Sequence, residues 1–195
     1  MIYRTGVMIR MALGILSFQT LYVSREQSNC PLISDMIRID KKLKELEVLK
    51  DTTGAMSLEY GKRMVIQRAG SRLDDLKIDD FAEIVDYDPL KRIMLVIGRN
   101  EPCVEAPVHW IIHHARDDVN AILQLNGEKT IERFSKRFPT TEKTFPQGTL
   151  ELAKESLKTL RKSKNIILKD VGVLFVGADL KEVEDSVLKN IEEST

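Results

Sequence analysis

The stretch from Asn100 to Gly127, NEPCVEAPVHWIIHHARDDVNAILQLNG, constrains the fold more than any other part of this chain. It holds all three histidines, the only tryptophan and one of the two cysteines. Pro107 opens an apolar run, Val108 to Ile112. A proline fits a first helical turn, where its missing N–H has no intrahelical partner to lose. The charged break Arg116-Asp117-Asp118 ends the helix, and Val119 to Leu125 follows at once, apolar enough for a central strand. A helix turned straight back into a buried strand needs a sheet around the strand and a sheet face beneath the helix. The chain therefore reads as α/β.

The pattern continues on both sides. Ser34 to about Lys50 reads as a helix: Met36, Ile39, Leu43 and Leu46 recur at three- and four-residue steps with lysines and glutamates opposite. Asp51-Thr52-Thr53-Gly54 ends it, and Gly54 to Ser57 reads as a turn before the alternating segment Arg63 to Gln67. Asp79–Tyr87 and Lys91–Ile97 read as two strands around Asp88-Pro89. Glu128 to Phe138 reads as a short helix, and a further helix opens at Gly148 with Leu150, Ala153, Leu157 and Leu160 on one face. Ile166–Leu168 and Val171–Val176 read as strands flanking Lys169-Asp170. Asp179 caps a last helix, with Glu182 in a capping-box relation and Val183, Val187, Leu188 and Ile191 as its buried stripe.

A chain of 195 residues supports one domain with a sizeable core. Its thirty acidic and thirty basic residues are interspersed, with no basic patch for nucleic acid and no aromatic–basic interleaving for single strands. Two distant cysteines make no disulfide framework, so a reducing cytoplasm is expected. The apolar run Gly6 to Val23 makes residues 1–33 a leader or a helix docked on a domain that occupies 34–195. Arg10 interrupts that run and no small-x-small site follows, which argues against export. It is also too polar for a membrane span.

The register of the central stretch resembles the class II aldolases and the adducin head domain. That family's core reads Pro-Ser-Ser-Glu, three residues, His, a helix ending near Arg-Pro-Asp, and a strand running into His-x-His. Here stand Pro102-Cys103-Val104-Glu105, His109, Arg116-Asp117-Asp118 and a strand ending Gln124-Leu125-Asn126, without a gap. Gly148 to Ala153, Ile166 to Val173 and Gly177 to Leu180 resemble later segments of the same family, so the likeness runs from about Ser34 onward. It implies a three-layer fold, a central, mostly antiparallel sheet flanked by helices, and a homo-oligomer, commonly a tetramer.

The resemblance also implies a site. In the family a divalent metal, usually zinc, held by three histidines acts as a Lewis acid, and a glutamate serves as acid/base. The glutamate falls on Glu105. The histidine positions carry Gln124, Asn126 and Val171, two poor ligands and one that cannot ligate. Of the phosphate-holding segments, Gly54, Ser57 and Gly70 are retained, while hydroxyl positions carry Gln67, Cys103 and Val104. The expected protein is therefore a binding or assembly module for a small polar ligand, needing no cofactor. The alternative is a lyase cleaving a sugar phosphate or related hydroxy-carbonyl compound with Glu105 as acid/base and a metal set, with zinc, rebuilt from His109, His113 or Asp170. On the first reading His109 is satisfied by hydrogen bonds, and His113 and His114 are partly exposed.

Overall fold

A computed structural model describes residues 18–46 and 52–192. Eight strands form one sheet: β1 (Gln19–Ser24), β2 (Thr53–Tyr60), β3 (Arg63–Gln67), β4 (Phe81–Asp88), β5 (Ile93–Ile97), β6 (Ala121–Asn126), β7 (Asn165–Leu168) and β8 (Gly172–Gly177). Their order across the sheet is β1-β5-β4-β3-β2-β6-β8-β7. Every neighbouring pair is antiparallel except β1 with β5. The helices are α1 (Ile33–Glu45), α2 (Ala106–Ala115), α3 (Glu128–Phe134), α4 (Leu150–Leu160) and α5 (Leu180–Glu192).

Strand alternation sorts the helices into two layers. Ala121, Leu123 and Leu125 of β6 pack with Met36, Ile39 and Leu43 of α1, Phe134 of α3, and Val183 and Val187 of α5. Ile122 of β6, on the opposite face, packs with Val108 and Ile112 of α2 and Leu152, Ala153 and Leu160 of α4. The result is the three-layer, mostly antiparallel arrangement that the resemblance implies. Each apolar face removed from water is worth about 25 cal/mol per Å². β6, buried along its whole length between β2 and β8, is the centre of it.

Several sequence expectations shift. The run ending at Val23 is not helical over residues 19–24: it is the edge strand β1, and Phe18 before it is in the core. The rest of the expected leader through Ser17 lies outside the described residues. Leu21 and Val23 stand on the exposed side of β1, so the sequence carries no apolar–polar alternation to mark it as a strand. Gly54 to Ser57 is not a turn but part of β2, paired to β6. Gly54 has φ 149°, and a Cβ there would stand 2.0 Å from the Gln124 carbonyl oxygen. The glycine is needed so that two backbones can meet. Leu46, expected in the buried stripe of α1, is 49% exposed just past that helix's end. The predicted extension of the helix toward Lys50 falls on residues 47–50, outside the described ones.

Candidate functional site

α2 and β6 build the site, as their sequence adjacency suggests. Glu105 stands at the N-cap of α2, and His109 and His113 follow at four-residue steps, so all three share the helix face turned to the sheet. Beneath them, alternation turns Gln124 and Asn126 of β6 toward α2. Ser57 of β2, opposite Ile122 in the register, points the same way. All six side chains are buried.

They form one continuous hydrogen-bonded line. His113 Nδ1 lies 3.0 Å from the Val119 carbonyl oxygen. Its Nε2 lies 2.9 Å from the Ser57 hydroxyl, which lies 2.8 Å from His109 Nδ1. His109 Nε2 faces Gln124 Oε1 at 3.3 Å, Gln124 Nε2 donates to Asn126 Oδ1 at 2.8 Å, and Asn126 Nδ2 donates to Glu105 Oε1 at 3.0 Å. A buried polar group left unpaired is costly, and in this line each finds a partner. Burial, and then the neighbouring His113, hold His109 down to about 3. Burial likewise holds His113 down to about 4 against the Val119 contact that favours its charged form. Both rings are neutral at physiological pH.

The line ends at a cavity of about 380 Å³ walled by residues 52–54, 69–73 and 103–105 with Gln147. The main chain holds its sides together: Ala69 N–H donates to Glu101 O at 2.8 Å and Cys103 N–H to Gln67 O at 3.1 Å. Gly70, at φ 77°, makes the turn on one side. Burial, reinforced by Glu105, pushes the Cys103 thiol well above its ordinary value, so it is no activated nucleophile.

Glu105, Gly54 and Gly70, read from the sequence as site residues, therefore meet on one cavity wall. Ser57 does not join them: it is fully buried and bridges the two imidazoles. His113 is buried too, not partly exposed as expected, because the turn after α2 brings the Val119 carbonyl against its ring. Asp170 is exposed in the β7–β8 turn, where its carboxylate accepts from Thr144. It shares no hydrogen bond with the line, and the four ring nitrogens of His109 and His113 are all engaged within it. The rebuilt metal set His109, His113 and Asp170 is thus not assembled. Among the described residues no three His, Cys, Asp or Glu side chains gather to hold a metal. Gln67, at an expected phosphate position, accepts from Met56 N–H at 2.8 Å and donates to Gly54 O at 2.9 Å. The cavity residues that sequence reasoning missed are Thr52, Ser71, Arg72 and Gln147; they lie in segments with no periodicity to mark them.

The donor set does not suit zinc. At Gln124 and Asn126 each amide oxygen and nitrogen is already partnered, and both groups are neutral. Val171 offers no donor atom, and zinc prefers thiolate, imidazole or carboxylate.

Comparison with known proteins gives a consistent picture. The profile of the Class II Aldolase and Adducin N-terminal domain matches residues 34–125. An L-fuculose phosphate aldolase of Methanocaldococcus jannaschii is 30% identical over 161 residues, 74% of this chain and 83% of that protein. Among solved structures, an L-fuculose 1-phosphate aldolase superposes with a TM-score of 0.70 at 21% identity, covering 86% of this chain and 84% of the other. The L-fuculose-1-phosphate aldolase of Thermus thermophilus gives 0.66 at 18% identity, covering 84% and 90%. The N-terminal class II aldolase domain of a Thermoplasma acidophilum protein gives 0.64 at 15%, covering 88% and 96%.

Proposed function

This chain belongs to the class II aldolase and adducin N-terminal domain family, and from that premise we propose that it is a binding module in which the zinc-dependent reaction has been lost. The observation that carries the reading is the line Gln124–Asn126–Glu105. Two of the three positions where the family resemblance puts metal ligands hold amides committed to one another and to Glu105, and the third holds Val171. What remains is a cavity large enough for a small polar molecule, with Glu105, Gly54 and Gly70 on its wall. The protein would act as a homo-oligomer, as the resemblance implies, in the cytoplasm. No helix among the described residues is long and apolar enough to cross a membrane.

A second reading is a lyase with Glu105 as acid/base, supported by the name of the 30%-identical relative and by the place of Glu105 on the cavity wall. Elemental mass spectrometry of untagged protein dialysed without chelator separates the two, paired with an aldol-cleavage assay on L-fuculose 1-phosphate. The binding reading expects no stoichiometric transition metal and no cleavage. Stoichiometric zinc with turnover would overturn it and establish the lyase.

A further inference from the structure

One buried carboxylate lies outside the line. Asp40 stands on the inner face of α1, four residues after Met36 and three before Leu43, and is 1% exposed. An acid in an apolar stripe is costly unless its oxygens are matched. Those of Asp40 accept from two main-chain N–H groups beyond the helix: Asp74 donates to Oδ1 at 2.7 Å and Leu76 to Oδ2 at 3.1 Å. One turn further along α1, Lys44 Nζ donates to the Asp74 carbonyl oxygen at 2.7 Å. An apolar residue would serve the stripe of α1 as well, so the reason for an acid at position 40 lies in the segment that it holds.

That segment, residues 68–77, leads from β3 to a single 3₁₀ turn, Ile78–Asp80, before β4. Its first part, Ala69 to Leu73, forms one side of the cavity. Its start is tied to the 3₁₀ turn: Arg68 donates from its main-chain N–H to Asp80 O at 2.6 Å and from Nε to Asp80 Oδ1 at 2.7 Å. Its middle bends sharply. Asp74 has φ 97°, a left-handed value that a residue with a Cβ avoids. Such a residue persists only where its surroundings hold it. Here the grips of Asp40 and Lys44 on its N–H and its carbonyl do so. Leu73 and Leu76, 1% and 4% exposed, flank the bend and enter the core cluster that contains Met36, Ile39 and Leu43. Leu73 is also on the cavity wall, so where the bend sits decides where the wall sits.

We infer that Asp40 is a positioning residue for the cavity: by fixing the main chain at Asp74 and Leu76 it sets where Ser71, Arg72 and Leu73 stand on the wall, and so the width of the cavity. The inference rests on the reading of that cavity as the ligand site. Fit at the cavity is then governed from α1, a helix that contributes none of the wall residues.

The test is ¹⁵N relaxation on the full chain without added ligand. Asp40→Asn keeps the shape of the side chain but turns an NH₂ toward one of the two N–H groups that it must accept from. Order parameters at residues 69–76 are expected to fall from about 0.85 to below about 0.6, while those of β6 and α2 hold. The Gly70 and Ser71 amide resonances, on the wall, are expected to shift with them. Lys44→Met removes only the grip on the Asp74 carbonyl and is expected to loosen the same residues less. Order parameters describe the folded ground state, so a lower urea midpoint with order and resonances unchanged at 69–73 would leave Asp40 a merely structural residue and overturn the inference. If Asp40→Asn does not fold, unchanged order and resonances at 69–73 in Lys44→Met overturn it in the same way. Stoichiometric zinc with turnover would overturn the binding reading and leave the relaxation result in force.

Discussion

Two buried glutamates, on opposite faces of the sheet, are accommodated in opposite ways. Glu184 of α5 lies in a groove of about 890 Å³ between α1 and α5, 5% exposed. Arg38 grips it through both nitrogens at 3.2 and 3.0 Å, and Lys42 adds a contact at 2.8 Å. Arg38 first, then Lys42, hold its carboxyl below the usual range against the opposing effect of burial. Glu105, 6% exposed, bonds instead to an amide that belongs to a line of neutral groups. One acid is matched by charge at the water's edge; the other is matched by hydrogen-bond order in the interior. The larger hollow surrounds the ion-paired acid, whereas the smaller one, beside Glu105, has Gly54 and Gly70 on its wall, positions that the resemblance marks as site residues.

The largest expected difference between the two regions is in acid. His109 and His113 are neutral when folded and take up protons when unfolded, below about 6.5. The unfolded state therefore binds more protons, and stability falls as pH drops below about 6.5 until the folded rings titrate, at about 4 for His113 and about 3 for His109. The loss between pH 7 and pH 5 from these two rings is expected at about 4 kcal/mol, roughly 2 for each ring. Glu184 has the opposite sense: its folded value is depressed, so its contribution is intact above about 4.3 and fades only below it. Urea titrations across pH separate the two windows. A flat profile between pH 7 and 5 would mean that the imidazoles are not buried as neutral groups.

Ser57→Ala comes next. It removes one hydroxyl but leaves two ring nitrogens in the interior without their partner. At about 1–3 kcal/mol for each buried group left unsatisfied, a loss of about 3 kcal/mol is expected, read from the urea midpoint. A loss below about 1 kcal/mol would mean that the rings find other partners. Lys42→Met sharpens the contrast from the other side. The lysine is 44% exposed and Arg38 still grips Glu184 after its removal, so solvent screening keeps the expected cost to about 1 kcal/mol.

How far the sequence foretold this contrast depends on periodicity. The steps Met36, Ile39, Leu43 in α1 and Glu105, His109, His113 in α2 are spaced so that each set shares a face, and the structure keeps both sets together. Register across strands is not written in either strand alone. That Ser57 stands opposite Ile122, and so under the imidazoles, needs the β2–β6 pairing, which no local pattern states. The same gap let Gly54 pass for a turn glycine, when its reason is the approach of the Gln124 carbonyl from the neighbouring strand. Similarly, the clamp of Arg38 and Lys42 on Glu184 joins residues more than 140 positions apart, a pairing that no pattern within either helix states.

Salt gives the smallest expected effect and the cleanest division between the two acids. Arg38 is 54% exposed and Lys42 44%, so mobile ions reach their side of the Glu184 cluster. Raising sodium chloride from ~0.05 to ~0.5 M shortens the screening length to a few ångströms and should cost the cluster about 0.5 kcal/mol. The Glu105 line joins its members through neutral amides, a hydroxyl and neutral imidazoles, and it excludes water along most of its length, so it offers salt nothing to screen. The measurement is the salt dependence of stability in the wild-type chain and in a Glu184→Gln variant. The dependence should shrink in that variant and persist in Ser57→Ala. If Ser57→Ala abolished it instead, the interior line would carry a charge pair, and the division between the two acids would have to be redrawn.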